Sequence, residues 1–141
     1  MTLKGTGAAP GIALGRVQIY IKNKIQPVRA FVPAGEKQSH LDRYNSVKNQ
    51  ALNELEEVRL AVGKHDPEKA EIFAAHKDIV NDIVINEEIP AKILNDLWSG
   101  DWAIYHVYET FLSVMRQTPN PSLAERAADI EDVRNRLLKI W

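Results

Sequence analysis

The sequence predicts a mainly α-helical unit: an antiparallel helical hairpin bundle of about four to five helices, with a short N-terminal β-strand pair. Three observations predict it. Apolar residues recur at three- and four-residue spacing through most of residues 38–141. Helix stop and start signals punctuate that stretch at Gly63, Asp66-Pro67, Ser99-Gly100 and Thr118-Pro-Asn-Pro121. Residues 16–21 instead alternate apolar and polar with period two and are rich in β-branched side chains, as strands are.

Taken in order, residues 1–15 are rich in glycine and alanine, and Pro10-Gly11 marks a turn. Gly5-Thr-Gly7 invites a nucleotide-loop reading, but Pro10 occupies the third glycine position and an alternating segment follows instead of a helix. Residues 3–8 are the expected hairpin partner of the strand at 16–21, and two strands alone are marginal in water. Residues 22–37, with Pro27, Pro33 and Gly35, read as a linker. The first helix is expected over about 37–61, with Leu41, Tyr44, Val47 or Lys48, Ala51, Leu55, Val58 and Val62 along one face and Gly63 as C-cap. Asp66 caps the second helix and Pro67 occupies its first turn; it is expected to run to about Val84. Asn86 is the expected cap of a third, shorter segment containing Ile89, Ile93, Leu94 and Leu97, tilted or weakened by Pro90. A fourth helix carries Ile104, Val107, Tyr108, Phe111 and Met115. In the last, Ser122 and Glu125 fit a capping box ahead of Leu123, Ala127, Ile130, Val133, Leu137, Leu138 and Trp141.

Composition bounds the function. With 141 residues, 45% hydrophobic and 26% charged, the chain suits one or two globular units. No apolar run approaches the roughly 20 residues of a membrane span, and no signal-peptide pattern opens the chain, so the expected location is cytoplasmic. The absence of cysteine excludes disulfides, thiolate nucleophiles and cysteine metal sites. Residues 1–30 hold Lys4, Arg16, Lys22, Lys24 and Arg29 and no acid, so all 19 acidic residues fall in the remaining 111 residues, which are mostly the helical part. That part lacks a basic stripe, which argues against nucleic-acid binding.

The second helix is the informative one. Its apolar positions fill an arc of roughly 220°, wider than the usual core stripe. Ala70, Phe73, the Lys77 stem, Val80 and Val84 form one stripe, assigned to the core. Ile72, Ala75, Ile79 and Ile83 form a neighbouring stripe bordered by Glu68, Glu71, Asp78 and Asp82. An apolar centre with an acidic rim suits a partner with a basic rim, whereas a helix buried on two sides would show the same pattern. The residues alone leave both readings open.

Three stretches resemble one family. Glu125-Arg-Ala-Ala-Asp-Ile-Glu-Asp-Val133 followed by Arg136-Leu-Leu138 looks like the end of the N-terminal region of phosphoenolpyruvate-utilising phosphotransferases, especially enzyme I of the sugar phosphotransferase system. Gly7-Ala-Ala-Pro-Gly-Ile-Ala-Leu-Gly15 resembles that family's opening, and Ala70-Glu-Ile-Phe-Ala-Ala-His76 its early helix. The resemblance departs at Glu131, where arginine is usual, and at Arg134, where glycine is. It also departs at Tyr105, which replaces a histidine, and at Ile83-Val84, which replace an acidic pair.

The resemblance implies that residues 1–21 are the β segment of an α/β phosphohistidine domain whose bulk lies outside this sequence. It implies that 38–141 is a helical domain docking HPr, the small phosphocarrier, or an HPr-like partner. Carried over, the docking face comprises Glu68, Lys69, Glu71, Ile72, Ala75, Ile79 and Ile83, with Met115 and Arg126 from later helices. No glycine-rich Thr-Ser-His motif surrounds His40, His65, His76 or His106, so the chain alone is expected to have no catalytic residue, no metal site and no cofactor. Magnesium and phosphoenolpyruvate are implied only for full-length members. The alternative expectation is a helical interaction module outside the phosphotransferase pathway, with self-association through an unpaired N-terminal strand.

Overall fold

A computed structural model of the chain describes residues 6, 10–12, 14–19 and 24–141. A short 3-10 turn at Ala34–Glu36 leads into five helices: α1 (Lys37–Gly63), α2 (Pro67–Val80), α3 (Ile83–Leu94), α4 (Gly100–Gln117) and α5 (Pro121–Ile140). α1 packs most extensively against α2, and α4 against α5, each pair joined by a three-residue connection, so the helices form two antiparallel hairpins. α3 links the hairpins and touches α1 and α4.

The core follows the predicted helical rows. α1 buries Tyr44, Val47, Ala51 and Leu55; α4 buries Ala103, Ile104, Val107, Tyr108 and Leu112; α5 buries Ala127, Ile130, Val133, Leu137 and Leu138. α3 adds Ile85, Ile89 and Ile93, one row at four-residue spacing, and the helix runs unbroken through Pro90. Tyr44 reaches beyond the core: its hydroxyl donates to Asn86 Oδ1 at 3.0 Å. The Asn86 amide in turn donates to the carbonyls of Val80 (2.9 Å) and Asp82 (2.7 Å). The first satisfies a carbonyl freed where α2 ends, and the second adds to the Asp82 carbonyl, which already receives the first backbone bond of α3.

They also explain the main departure from the sequence reading. The helix expected over 67–84 stops at Val80, and Asp82, not Asn86, caps α3 by accepting from the Ile85 amide at 3.0 Å. The break resets the helical phase. Val84, assigned to the core stripe, is therefore 48% exposed on α3. Leu97, placed in the third helical segment, lies beyond it with φ 53°. Gly63 is the last helical residue rather than the C-cap, which is Lys64. At α5 the cap is Asn120, whose side chain accepts from the Ser122 amide, and Pro121 is the first helical residue, so Ser122 lies inside the helix.

The expected N-terminal strand pair is not found among the described residues. Residues 16–19 form no strand, and Val17 and Ile19 are 87% and 80% exposed, because no partner surface receives the alternating face. Residues 3–5, 7, 8, 20 and 21 of the expected pair lie outside the described residues. The one β bridge among the described residues is Phe31–Trp98. There Val32 N–H donates to Leu97 O (2.8 Å) and Ser99 N–H to Ala30 O (2.9 Å), fastening the approach segment to the start of α4.

Candidate partner-docking face

α2 starts where local chemistry requires. Asp66 accepts from the Lys69 amide at 3.1 Å, and Pro67 loses nothing by lacking an N–H at the first position. From that start the helix turns Ala70, His76 and Val80 inward, and Phe73 and Lys77 lie half-buried beside them. Lys77 is held there by its ammonium, 2.5 Å from Glu56 Oε2 on α1. Two cations share that carboxylate: hydrogen bonds from Arg59 first, then Lys77, pull the Glu56 pKa down to about 2.

Glu68, Lys69, Glu71, Ile72 and Ala75 are all exposed, Ile72 at 50%. Ile79, expected on the same row, is half-buried and packs against the core. Ile83 stands in the first turn of α3, 73% exposed, beside exposed Val84. Lys69 is drawn back to Asp66 at 3.1 Å, whereas Glu68 and Asp78 have no ion-pair partner among the described residues. The result is an uncovered apolar row with a net acidic border.

Of the two residues expected from later helices, Arg126 is exposed in α5 and Met115 is half-buried at the end of α4. Met115 lines an open, mainly apolar groove of about 630 Å³ shaped by Pro119, Pro121, Ala124 and Ala128. α5 reaches α2 through His76, whose Nε2 lies 3.3 Å from Asp129 Oδ1. Asp129 is one turn beyond Arg126, a position the sequence reading did not single out. Its signal was slight: an acid at helical spacing from an expected interface residue.

Three of the four departures from the family pattern gather in one place. Arg134, with its side chain 5% exposed, bonds Glu109 and lies 3.6 Å from Glu131, and its guanidinium sits over the Tyr105 ring at 5.1 Å. Arg116 closes a ring of alternating charge, 2.9 Å from Glu109 and 3.6 Å from Glu131. These residues clamp α4 to α5. No group of three or more potential metal ligands occurs among the described residues.

Comparisons with known proteins bear on the family and the fold. The family described as "PEP-utilising enzyme, N-terminal" matches residues 4–126. The chain belongs to that family. Curated relatives include the phosphoenolpyruvate-protein phosphotransferases of Borreliella burgdorferi, 30% identical across 99% of this chain and 25% of that protein, and of Listeria monocytogenes, 30% identical across 96% and 24%. A solution structure of enzyme I is similar to it with a TM-score of 0.77 at 27% identity, covering 84% of this chain and 48% of that one. The chain thus spans about a quarter of the length of these curated relatives and corresponds to the N-terminal portion of enzyme I. No helix among the described residues is long and apolar enough to cross a membrane.

Proposed function

We propose that the exposed row of α2, continued by Ile83 on α3 and bordered by Arg126 of α5, docks the phosphocarrier HPr or an HPr-like domain. It does so as part of an enzyme I-like phosphoenolpyruvate-protein phosphotransferase of the cytoplasmic sugar phosphotransferase system. The observation that carries this reading is the uncovered row itself. Ile72 and Ile83 stand exposed on a face that also carries Glu68 and Asp78, which have no ion-pair partner among the described residues, in a chain of this family. Apolar centre and acidic rim match a partner with an apolar patch ringed by basic side chains. The role is to hold a carrier, not to carry phosphate: the ring nitrogen of His76 is turned inward onto Asp129, and the histidine is 8% exposed.

Titration of the chain with HPr tests the reading. Ile72→Ala is expected to weaken binding by about 1–2 kcal/mol, as an interface anchor, while changing stability by less than about 1 kcal/mol. Glu71→Lys is expected to slow association, with the difference shrinking as salt is added. Absence of HPr binding by the parent chain would reject the partner and favour an interaction module outside the pathway.

A further inference from the structure

Three helices supply the proposed docking face, and one side-chain pair ties two of them, α2 and α5, together there. His76 projects inward from α2, one turn from both Ile72 and Ile79 in sequence and next to Ala75. Its Nε2 meets Asp129 Oδ1 at 3.3 Å, and the Phe73 ring stands edge-on to it at 6.3 Å. Asp129 follows Arg126 by three residues on α5, so the carboxylate that receives His76 and the exposed guanidinium share one side of that helix. The His76 ring is nearly buried, whereas the Asp129 side chain is 39% exposed. The bond therefore lies just beneath the surface, between α2 and α5, and is not itself displayed.

We propose that His76 is a positioning residue. Through Asp129 it holds the row Ile72–Ala75 of α2 in register with Arg126 of α5, so that a carrier meets one composite surface. This rests on the docking reading above. A packing residue of the same shape would fill the space but would not fix the offset of one helix along the other, because apolar contacts are non-directional and a hydrogen bond is not.

Two measurements on the full chain decide it. The chain has no cysteine, so Ala75→Cys with Arg126→Cys allows a pair of spin labels to be placed without background. The parent is expected to give one narrow inter-label distance, which His76→Ala and Asp129→Ala broaden or shift and His76→Gln restores, since the glutamine amide can donate to the same oxygen. In the unlabelled chain, His76→Ala is expected to weaken HPr binding by about two- to twelvefold, the range of one net hydrogen bond, with recovery in His76→Gln. Arg126→Ala should then cost less affinity in the His76→Ala background than in the parent. Asp129→Ala leaves the buried ring in place and serves if His76→Ala does not fold. An unchanged distance in the alanine variants, or a glutamine variant that behaves like alanine while folded, overturns the proposal. If the parent does not bind HPr, the docking reading fails by itself, and the label distances still decide whether the pair sets the register.

Discussion

Glu56 of α1 and Lys77 of α2 meet at 2.5 Å, and Arg59 holds the other oxygen of the same carboxylate at 2.7 Å. The hairpin of α1 and α2 is thus locked by a charge that is cheaper to keep ionised when folded. Because the folded pKa is lowered from 4.5 to about 2, the stabilisation is present above the unfolded value and lost as pH falls toward 2. Solvent reaches this carboxylate, so salt screens the contribution. Glu56→Gln is expected to melt lower than the parent at pH 6, with the gap closing between about pH 4.5 and pH 2. Thermal melts of both proteins across that window check it; a gap that does not change with pH would show that shape, not charge, is what the glutamate contributes.

Two buried tyrosines should respond in opposite ways to loss of the hydroxyl. Tyr44 donates to Asn86 and thereby supports the α2–α3 junction, so Tyr44→Phe is expected to cost about 1 kcal/mol. Tyr108 is fully buried and its hydroxyl has no hydrogen-bond partner among the described residues, so Tyr108→Phe is expected to be neutral or stabilising by up to about 1 kcal/mol. Burial pushes the pKa of both phenols upward, so neither is expected to ionise in the folded chain at ordinary alkaline pH. Denaturant melts of the two variants separate the cases.

Gly100 is required by its neighbour rather than by its backbone. A Cβ there would overlap the six-membered ring of Trp141, which is held between His40 (ring centroids 5.7 Å) and Arg43 (4.4 Å above the ring). Gly100→Ala is expected to destabilise by about 1–3 kcal/mol through overpacking. Adding Trp141→Ala should remove most of that penalty relative to Trp141→Ala alone, a non-additivity that a double-mutant cycle in thermal or urea melts reads directly.

Arg134 is the nearly buried member of the ring that clamps α4 to α5. Arg134→Ala leaves Glu109 and Glu131 facing each other with Arg116 alone between them, and is expected to cost about 2–3 kcal/mol. Urea unfolding of the variant measures it. A cost below about 0.5 kcal/mol would place this pair with ordinary surface ion pairs.

What could be read in advance was what depends on neighbours along the chain. Asp66-Pro67 starts α2 through contacts within three residues, and the buried rows of α1, α4 and α5 follow from spacing alone. The end of α2 could not be read that way. Ile83 and Val84 continue its apolar pattern, and what stops the helix is an amide on Asn86 held by Tyr44, 42 residues away. The same break moves Val84 out of the expected core stripe. Exposure of Glu68, Glu71, Ile72 and Ala75 follows the helical wheel, whereas the wheel's phase no longer applies to Val84, beyond Asn81. The partner of His76 lies 53 residues distant, on another hairpin, and periodicity carries no information about it.

The start of α4 is a crossroads. Ser99 N–H bonds the carbonyl of Ala30, Gly100 N–H bonds His40 Nδ1 at 3.1 Å, and the Trp141 ring lies over Gly100. Residues 30 and 141 therefore attach to adjacent residues, and everything between them is an excursion that returns to its origin. Opposed forces applied at those two positions would load this small corner before any helix is stretched along its axis. Mechanically the corner acts as a buckle: it would yield first, and the apolar interior would feel the pull only afterwards.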